Sequence, residues 1–172
     1  MTEALSNVAD SYFAALMLSE MGPGSSYATL KLASVETWAQ FDPEDFKGMT
    51  LPFGIVMSNA GTSEPAGHDG DAAIKTKDSH AYALIVVCDG TRTEATANAK
   101  TLAWRVKKML RSVRFQGDSV TTDDGTKLSR TIQTTSGALF REETFLWAKP
   151  TSKADSVYGL GVVAFTVSGV TK

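Results

Sequence analysis

A chain of 172 residues with 42% apolar and 21% charged side chains falls in the ordinary globular range, and it is long enough to bury about two thirds of the surface its unfolded form exposes. Seventeen basic and nineteen acidic residues leave a net charge of −2, which excludes a global field drawing the protein onto nucleic acid or an anionic membrane. One cysteine, Cys88, excludes an intramolecular disulfide, and no apolar run approaches the roughly 20 residues that span a bilayer. The opening "MTEALSNVAD" has neither a basic nor a long apolar region, so the expectation is a single soluble, unexported domain over residues 1–172.

From Glu3 to Glu20, Leu5, Val8, Ala9, Tyr12, Phe13, Leu16 and Met17 recur at three- and four-residue steps, one face of an amphipathic helix that "GPG" at Gly22–Gly24 ends. Residues 25–50 read as irregular: "YATLKLAS" suits a short strand, "SVETWAQ" a helical turn, and "DPEDF" offers an N-cap aspartate followed by proline at the first helical position. "TLPFGIVMS" reads as a strand that tolerates Pro52 at its start or on an edge. Asn59 to Asp78, "NAGTSEPAGHDGDAAIKTKD", has neither helical nor strand periodicity and predicts a long flexible loop at about 59–79.

"HAYALIVVCD" is apolar on both parities, as in a central strand covered on both faces, and Cys88 within it reads as a small buried hydrophobe. Between Thr93 and Val113, Ala95, Ala99, Leu102, Val106, Met109, Leu110 and Val113 fall within about 60° of one line on a helical wheel, which predicts a core-facing helix. Asp124–Gly125 suits a tight hairpin turn. "LFREETFLWAK" and "VYGLGVVAFTVSGV" read as strands separated by the turn-forming "PTSKADS". Consecutive strands without intervening helices predict an α+β fold: a mixed, mostly antiparallel twisted sheet with two main helices packed on one face.

Candidate chemistry is sparse. His68 in "GHDGD" stands beside Asp69 and Asp71, but the spacing matches neither zinc nor calcium loops and suits a solvated turn. His80 opens a strand without a ligand partner nearby in sequence, and Asp123–Asp124 are turn residues before Gly125. Gly159 and Gly161 lie within a strand, where a bulge or close packing explains them better than phosphate binding. GxSxG, HExxH, GxxxxGK[ST] and CxxC are all missing, so neither an enzyme nor a cofactor is expected.

The second helix offers more. Thr93 to Arg114 holds six basic residues against Glu94 alone; Lys100, Lys107 and Arg111 lie about 100° to 140° from the apolar centre and Trp104 near the opposite pole. Cations near a helix C-terminus favour its dipole, but an outward indole calls either for cover by "SVETWAQFDPEDF" or for a neighbouring subunit. Glu64, Asp69, Asp71 and Asp78 outnumber Lys75 and Lys77 in the 59–78 segment, so a basic helix face and an acidic loop suit head-to-tail association. Nucleic-acid binding through Lys100, Lys107 and Arg111 is the alternative, disfavoured by the net charge.

The succession of an N-terminal amphipathic helix, the strand "TLPFGIVMS", the stretch "HAYALIVVCDGTRTEATANAKTLAWRVKKMLRSV" and the terminal "VYGLGVVAFTVSG" resembles the tail terminator proteins of long-tailed bacteriophages. The resemblance is one of element order, strongest over Leu51–Val113 and the last strand. It implies a structural virion protein, assembled in the bacterial host cytoplasm, that forms a hexameric ring on the tail tube protein. Such a ring ends tube polymerisation and presents a surface to head–tail connector proteins, with phage DNA passing through its lumen. A neighbouring neck or head-completion protein shares this pattern. The resemblance also implies that 59–78 is an assembly arm.

Overall fold

The computed structural model describes residues 5–68, 74–112, 119–121, 127–129, 132–134, 141–149 and 156–171. Helix α1 spans Leu5–Met21 and ends where Gly22 follows. Strand β1, Ser34–Thr37, precedes a 3-10 turn at Pro43–Phe46 whose start is capped by Asp42, its carboxylate accepting the Glu44 N–H at 2.9 Å. Strands β2, Phe53–His68, and β3, Ile74–Thr91, lead into α2, Arg92–Ser112. Three short strands follow, β4 (Ser119–Thr121), β5 (Lys127–Ser129) and β6 (Ile132–Thr134), then β7 (Arg141–Ala148) and β8 (Ser156–Thr171).

One sheet carries the fold. Its order is β1-β2-β3-β8, with β7 and β6 both pairing the far side of β8, and only the β1–β2 pair is parallel. The α+β expectation therefore holds. β3 is central, as its apolar run on both parities implies, because Phe53–Val56 flank it on one side and Leu160–Val163 on the other. β4 and β5 pair separately and flank the Asp124–Gly125 turn, which lies outside the described residues, as does most of "PTSKADS".

Two corrections concern local structure. "SVETWAQ" begins with strand β1 rather than a helical turn, since Ser34–Thr37 find ladder partners in Phe53–Val56. The predicted loop at 59–79 is mostly a paired extension of β2 and β3: residues through His68 and from Ile74 onward continue the hairpin, with irregularities between Ser58 and Gly61 and between Pro65 and Gly67. Residues 69–73 lie outside the described set. Main-chain ladder bonds need no apolar alternation, so a polar, glycine-containing sequence pairs when β8 supplies another partner, Thr76–Ala81 lying against Thr166–Thr171. Pro65 is tolerated because β1 covers β2 only as far as Val56, which leaves the distal part on a sheet edge.

Both helices pack on one face. Phe13, Met17 and Met21 of α1 and Ala99, Leu102, Ala103, Val106, Met109 and Leu110 of α2 share a core with Val56, Tyr82, Leu84, Val86, Val163 and Phe165. The Phe13 ring sits 5.2 Å from Tyr82 and 5.1 Å from Phe165. Each large side chain buried here contributes about 1.5–3 kcal/mol. On the second face, Phe46, Phe53, Ile55, Ile85, Val87 and Leu160 form a smaller core under the 38–51 segment, which contributes Trp38, Phe41, Met49 and Leu51. The Phe46 ring meets Tyr158 edge-on at 5.1 Å.

The β3–α2 junction is a capping box. Thr91 caps the helix, the Glu94 carboxylate accepts the Thr91 N–H at 3.0 Å, and Gly90 at φ +142° makes the turn. Those bonds to Thr91 hold the Glu94 carboxyl below its ordinary range. Further along, α2 lies directly on the β8 backbone: a Cβ at Gly159 would stand 2.3 Å from the Ala95 carbonyl oxygen, and one at Gly161 2.5 Å from that of Ala99. Close packing therefore explains both glycines. Cys88 is buried beneath the same contact, with its thiol near the Gly159 and Ala95 carbonyls at 3.3 and 3.5 Å.

Candidate assembly surface

The large apolar side chains left exposed among the described residues are Leu18, Trp104, Phe145, Leu146 and Trp147. Three of them are consecutive in β7, the outer strand beside β8. Residues directly opposite in an antiparallel pair share a face, so Phe145 opposite Leu160 and Trp147 opposite Tyr158 lie on the second face, while Leu146 opposite Gly159 lies on the helix face. Phe145 and Trp147 are each 47% exposed, because the 38–51 segment covers the sheet nearer its β1 side and stops short of β7. Lys149 secures the end of this strand, bonding Asp89 at 2.6 Å and lying 4.9 Å from the Tyr158 ring.

Helix α2 flanks the same edge. Trp104 is 55% exposed, and Lys108 lies over its ring at 5.5 Å. The "SVETWAQFDPEDF" segment does not cover the indole, for it packs on the opposite face of the sheet. Lys100 and Arg111 are exposed and Lys107 is half-buried. Arg105 is committed within the fold, where its guanidinium sits 3.8 Å from the Tyr27 ring and donates to the Leu30 carbonyl at 2.7 Å, holding the 27–30 segment against α2. Arg105 thus marks the flank of α2 turned toward the 27–30 segment, and on a 3.6-residue helix Lys100 and Arg111 fall on the other flank, with Trp104 pointing outward near the pole opposite the core.

The opposite edge of the sheet, at β1, is acidic. Glu36 and Asp45 are exposed there around one cleft, Asp42 and Glu44 are exposed further along the 38–51 segment, and Lys47 is engaged with Glu44. Glu36, Thr37, Trp38, Ala39, Gln40 and Asp45 line an open cleft of about 360 Å³, whose Trp38 indole N–H donates to Glu36 at 3.0 Å. The acids expected on the 59–78 segment stand differently: Glu64 belongs to β2, its backbone opposite Lys77, and Asp69 and Asp71 lie outside the described residues.

A polar cluster ties α1 to the sheet where the β2–β3 extension begins. Asp10 accepts from the Ser58 hydroxyl at 3.1 Å and from Tyr82, and the nearby His80 favours its charged form. Burial outweighs these and raises the Asp10 carboxyl above its ordinary value; burial beside Asp10 also pushes the Tyr82 phenol strongly upward. The Ser58 hydroxyl donates to the Asp10 carboxylate, which braces α1 against β2. His68 lies in β2, and among the described residues no group of acids, histidines or cysteines is arranged to hold a metal. No described helix is long and apolar enough to cross a membrane.

Sequence reasoning singled out Trp104 and the α2 cations but passed over Phe145, Leu146, Trp147 and the acids of the β1 edge. The available signal was "EETFLWAK", three bulky residues bracketed by charges, which reads equally as a buried strand. No protein-family model matches the chain, and no curated protein matches it either.

Proposed function

We propose that the protein is a structural subunit of a phage tail, a tail terminator that self-associates into a ring of about six copies, caps the tube and presents the head-attachment surface. Its work is done by surfaces rather than by a catalytic centre. The observation that carries this reading is the exposure of three consecutive large apolar side chains, Phe145, Leu146 and Trp147, on the outer strand β7, with a further exposed indole, Trp104, on the helix that packs over the other face. A run of large exposed apolar side chains on an outer strand marks an interaction site, since water gains when it is covered. The order of elements that resembles tail terminators supports the same assignment, and the paired 59–68 and 74–78 strands suit a projecting contact arm better than a loose loop would.

Light scattering over a range of protein and salt concentrations, with negative-stain imaging of the largest species, tests the reading. The expected result is rings of about six 18.3 kDa subunits. A monomer at every concentration that also fails to bind purified tail tubes of a long-tailed phage overturns it.

A further inference from the structure

The helices layered over the two edges of the sheet differ in charge, while strand β7 itself carries Arg141 beside Glu142 and Glu143. Five strands abreast, β1-β2-β3-β8-β7, set the edges about 19 Å apart at the usual inter-strand spacing. Helix α2 packs against β3, β8 and β7, and α1 against β1 and β2, so each edge has a helix layer above it. From Arg92 to Ser112, α2 carries six basic residues and one acidic; from Leu5 to Met21, α1 carries Asp10 and Glu20 and no base. Residues 36–45 add Glu36, Asp42, Glu44 and Asp45, again with no base. Among the described residues neither Glu36 nor Asp45 has a cationic partner.

We propose that copies of this chain join head to tail, the β7–α2 edge of one subunit docking on the β1–α1 edge of the next. This inference rests on the ring reading and names the surfaces that would build it. When two such sheets meet edge to edge with their faces aligned, like layers meet. Lys100 and Arg111 on α2 then approach the exposed Glu20 near the C-terminal end of the neighbouring α1. On the second face, Phe145 and Trp147 approach the open cleft beside Glu36 and Asp45, whose volume of about 360 Å³ leaves room for a large side chain. Docking β7 on a second β7 would bring Lys100 and Arg111 against their own copies, and like charges facing each other disfavour that arrangement. A contact between two different patches is heterologous and closes into a ring when the rotation permits.

Charge reversal on each edge tests this. One variant carries Lys100→Glu and Arg111→Glu; the other carries Glu20→Lys and Glu36→Lys. All four positions are exposed, and Glu36 gives up a bond from the Trp38 indole N–H, so the first variant should melt with the wild type and the second only a few degrees below it. Each alone faces like charge with like charge, and its assembly midpoint measured by light scattering should rise at least about a hundredfold. An equimolar mixture sets the acidic α2 edge of one variant against the basic α1–β1 edge of the other and should assemble more readily than either variant alone. The wild-type assembly should also weaken as salt rises, as exposed charge pairs do. If the α2 variant fails while the Glu20/Glu36 variant assembles normally, the basic edge meets something other than the β1–α1 edge, and the head-to-tail arrangement is wrong. If both variants assemble normally the surfaces are wrong while the ring stands, whereas a wild type that never assembles removes the ring reading itself.

Discussion

Replacing Gly159 by alanine probes the contact that sets the position of α2, and with it the exposed edge. The new Cβ would lie 2.3 Å from the Ala95 carbonyl oxygen, 2.7 Å from its carbonyl carbon and 3.1 Å from its Cβ. Ordinary contact begins near 3.4 Å, so helix and strand must separate by about 1 Å. The obstruction is backbone on both sides, and no side-chain rotation relieves it. A gap of that size forfeits a quarter to a half of the dispersion energy across the affected contacts. Those contacts involve Ala95, Ala99, Leu102 and Val106, all fully buried. Overpacking of this kind costs about 1–3 kcal/mol and more where relaxation is blocked, and alanine recovers only about 0.5 kcal/mol by restricting the unfolded chain. A net loss of about 3 kcal/mol lowers Tm by about 6–12 °C in a chain of this length. Gly161→Ala, with Ala99 O at 2.5 Å and Ala103 Cβ at 2.9 Å, should behave alike, while Gly24→Ala, with nothing within 4 Å, should melt at or slightly above the wild type. Calorimetry or thermal circular dichroism reads the difference. A Gly159→Ala protein within about 0.5 kcal/mol of wild type would refute the reasoning, because it would mean that α2 is not held against the β8 backbone.

Trp104→Ala should change stability by less than about 1 kcal/mol in urea unfolding, since the indole is 55% exposed, yet weaken self-association. Arg105→Ala should cost about 1–3 kcal/mol by removing both the stack on Tyr27 and the bond to the Leu30 carbonyl, and Arg105→Lys should restore only part of it, measured by the same unfolding curves. The Cys88 thiol, pushed up to about 12 by burial and the adjacent Asp89, should resist a thiol-disulfide reagent at pH 8 in the folded protein and react fully once urea unfolds the chain. For Asp10, the folded state holds the proton more tightly than the unfolded state. Its contribution to stability therefore falls as pH rises from the unfolded value through the raised folded one. The stability of wild type minus that of Asp10→Asn should accordingly decrease between acid and neutral pH, and a difference that grows with pH would contradict the assigned burial effect.

Features that depend on neighbours a few residues away were legible along the chain. The spacing of Phe13 and Met17, and of Ala95, Ala99, Leu102 and Val106, specifies two helices with one apolar face each because a 3.6-residue turn stacks those positions. The run "ALIVVC" on both parities marked the strand covered on both sides, and Gly159 and Gly161 marked a close approach. The capping box Thr91–Glu94 is equally local, which is why α2 starts at Arg92. Everything else waits on partners distant in the chain. Residues 61–68 and 74–80 are strands because they pair with each other and because β8, about 90 residues further on, covers the β3 arm from Thr76, and no local pattern of side chains reports so distant a main-chain partner. Phe145, Leu146 and Trp147 read as core until strand order places β7 at an edge. The acids near Glu36 and the cations of α2 look like scattered surface charge along the chain; the sheet sets them on opposite edges, and only there does their separation become a field that another copy could meet.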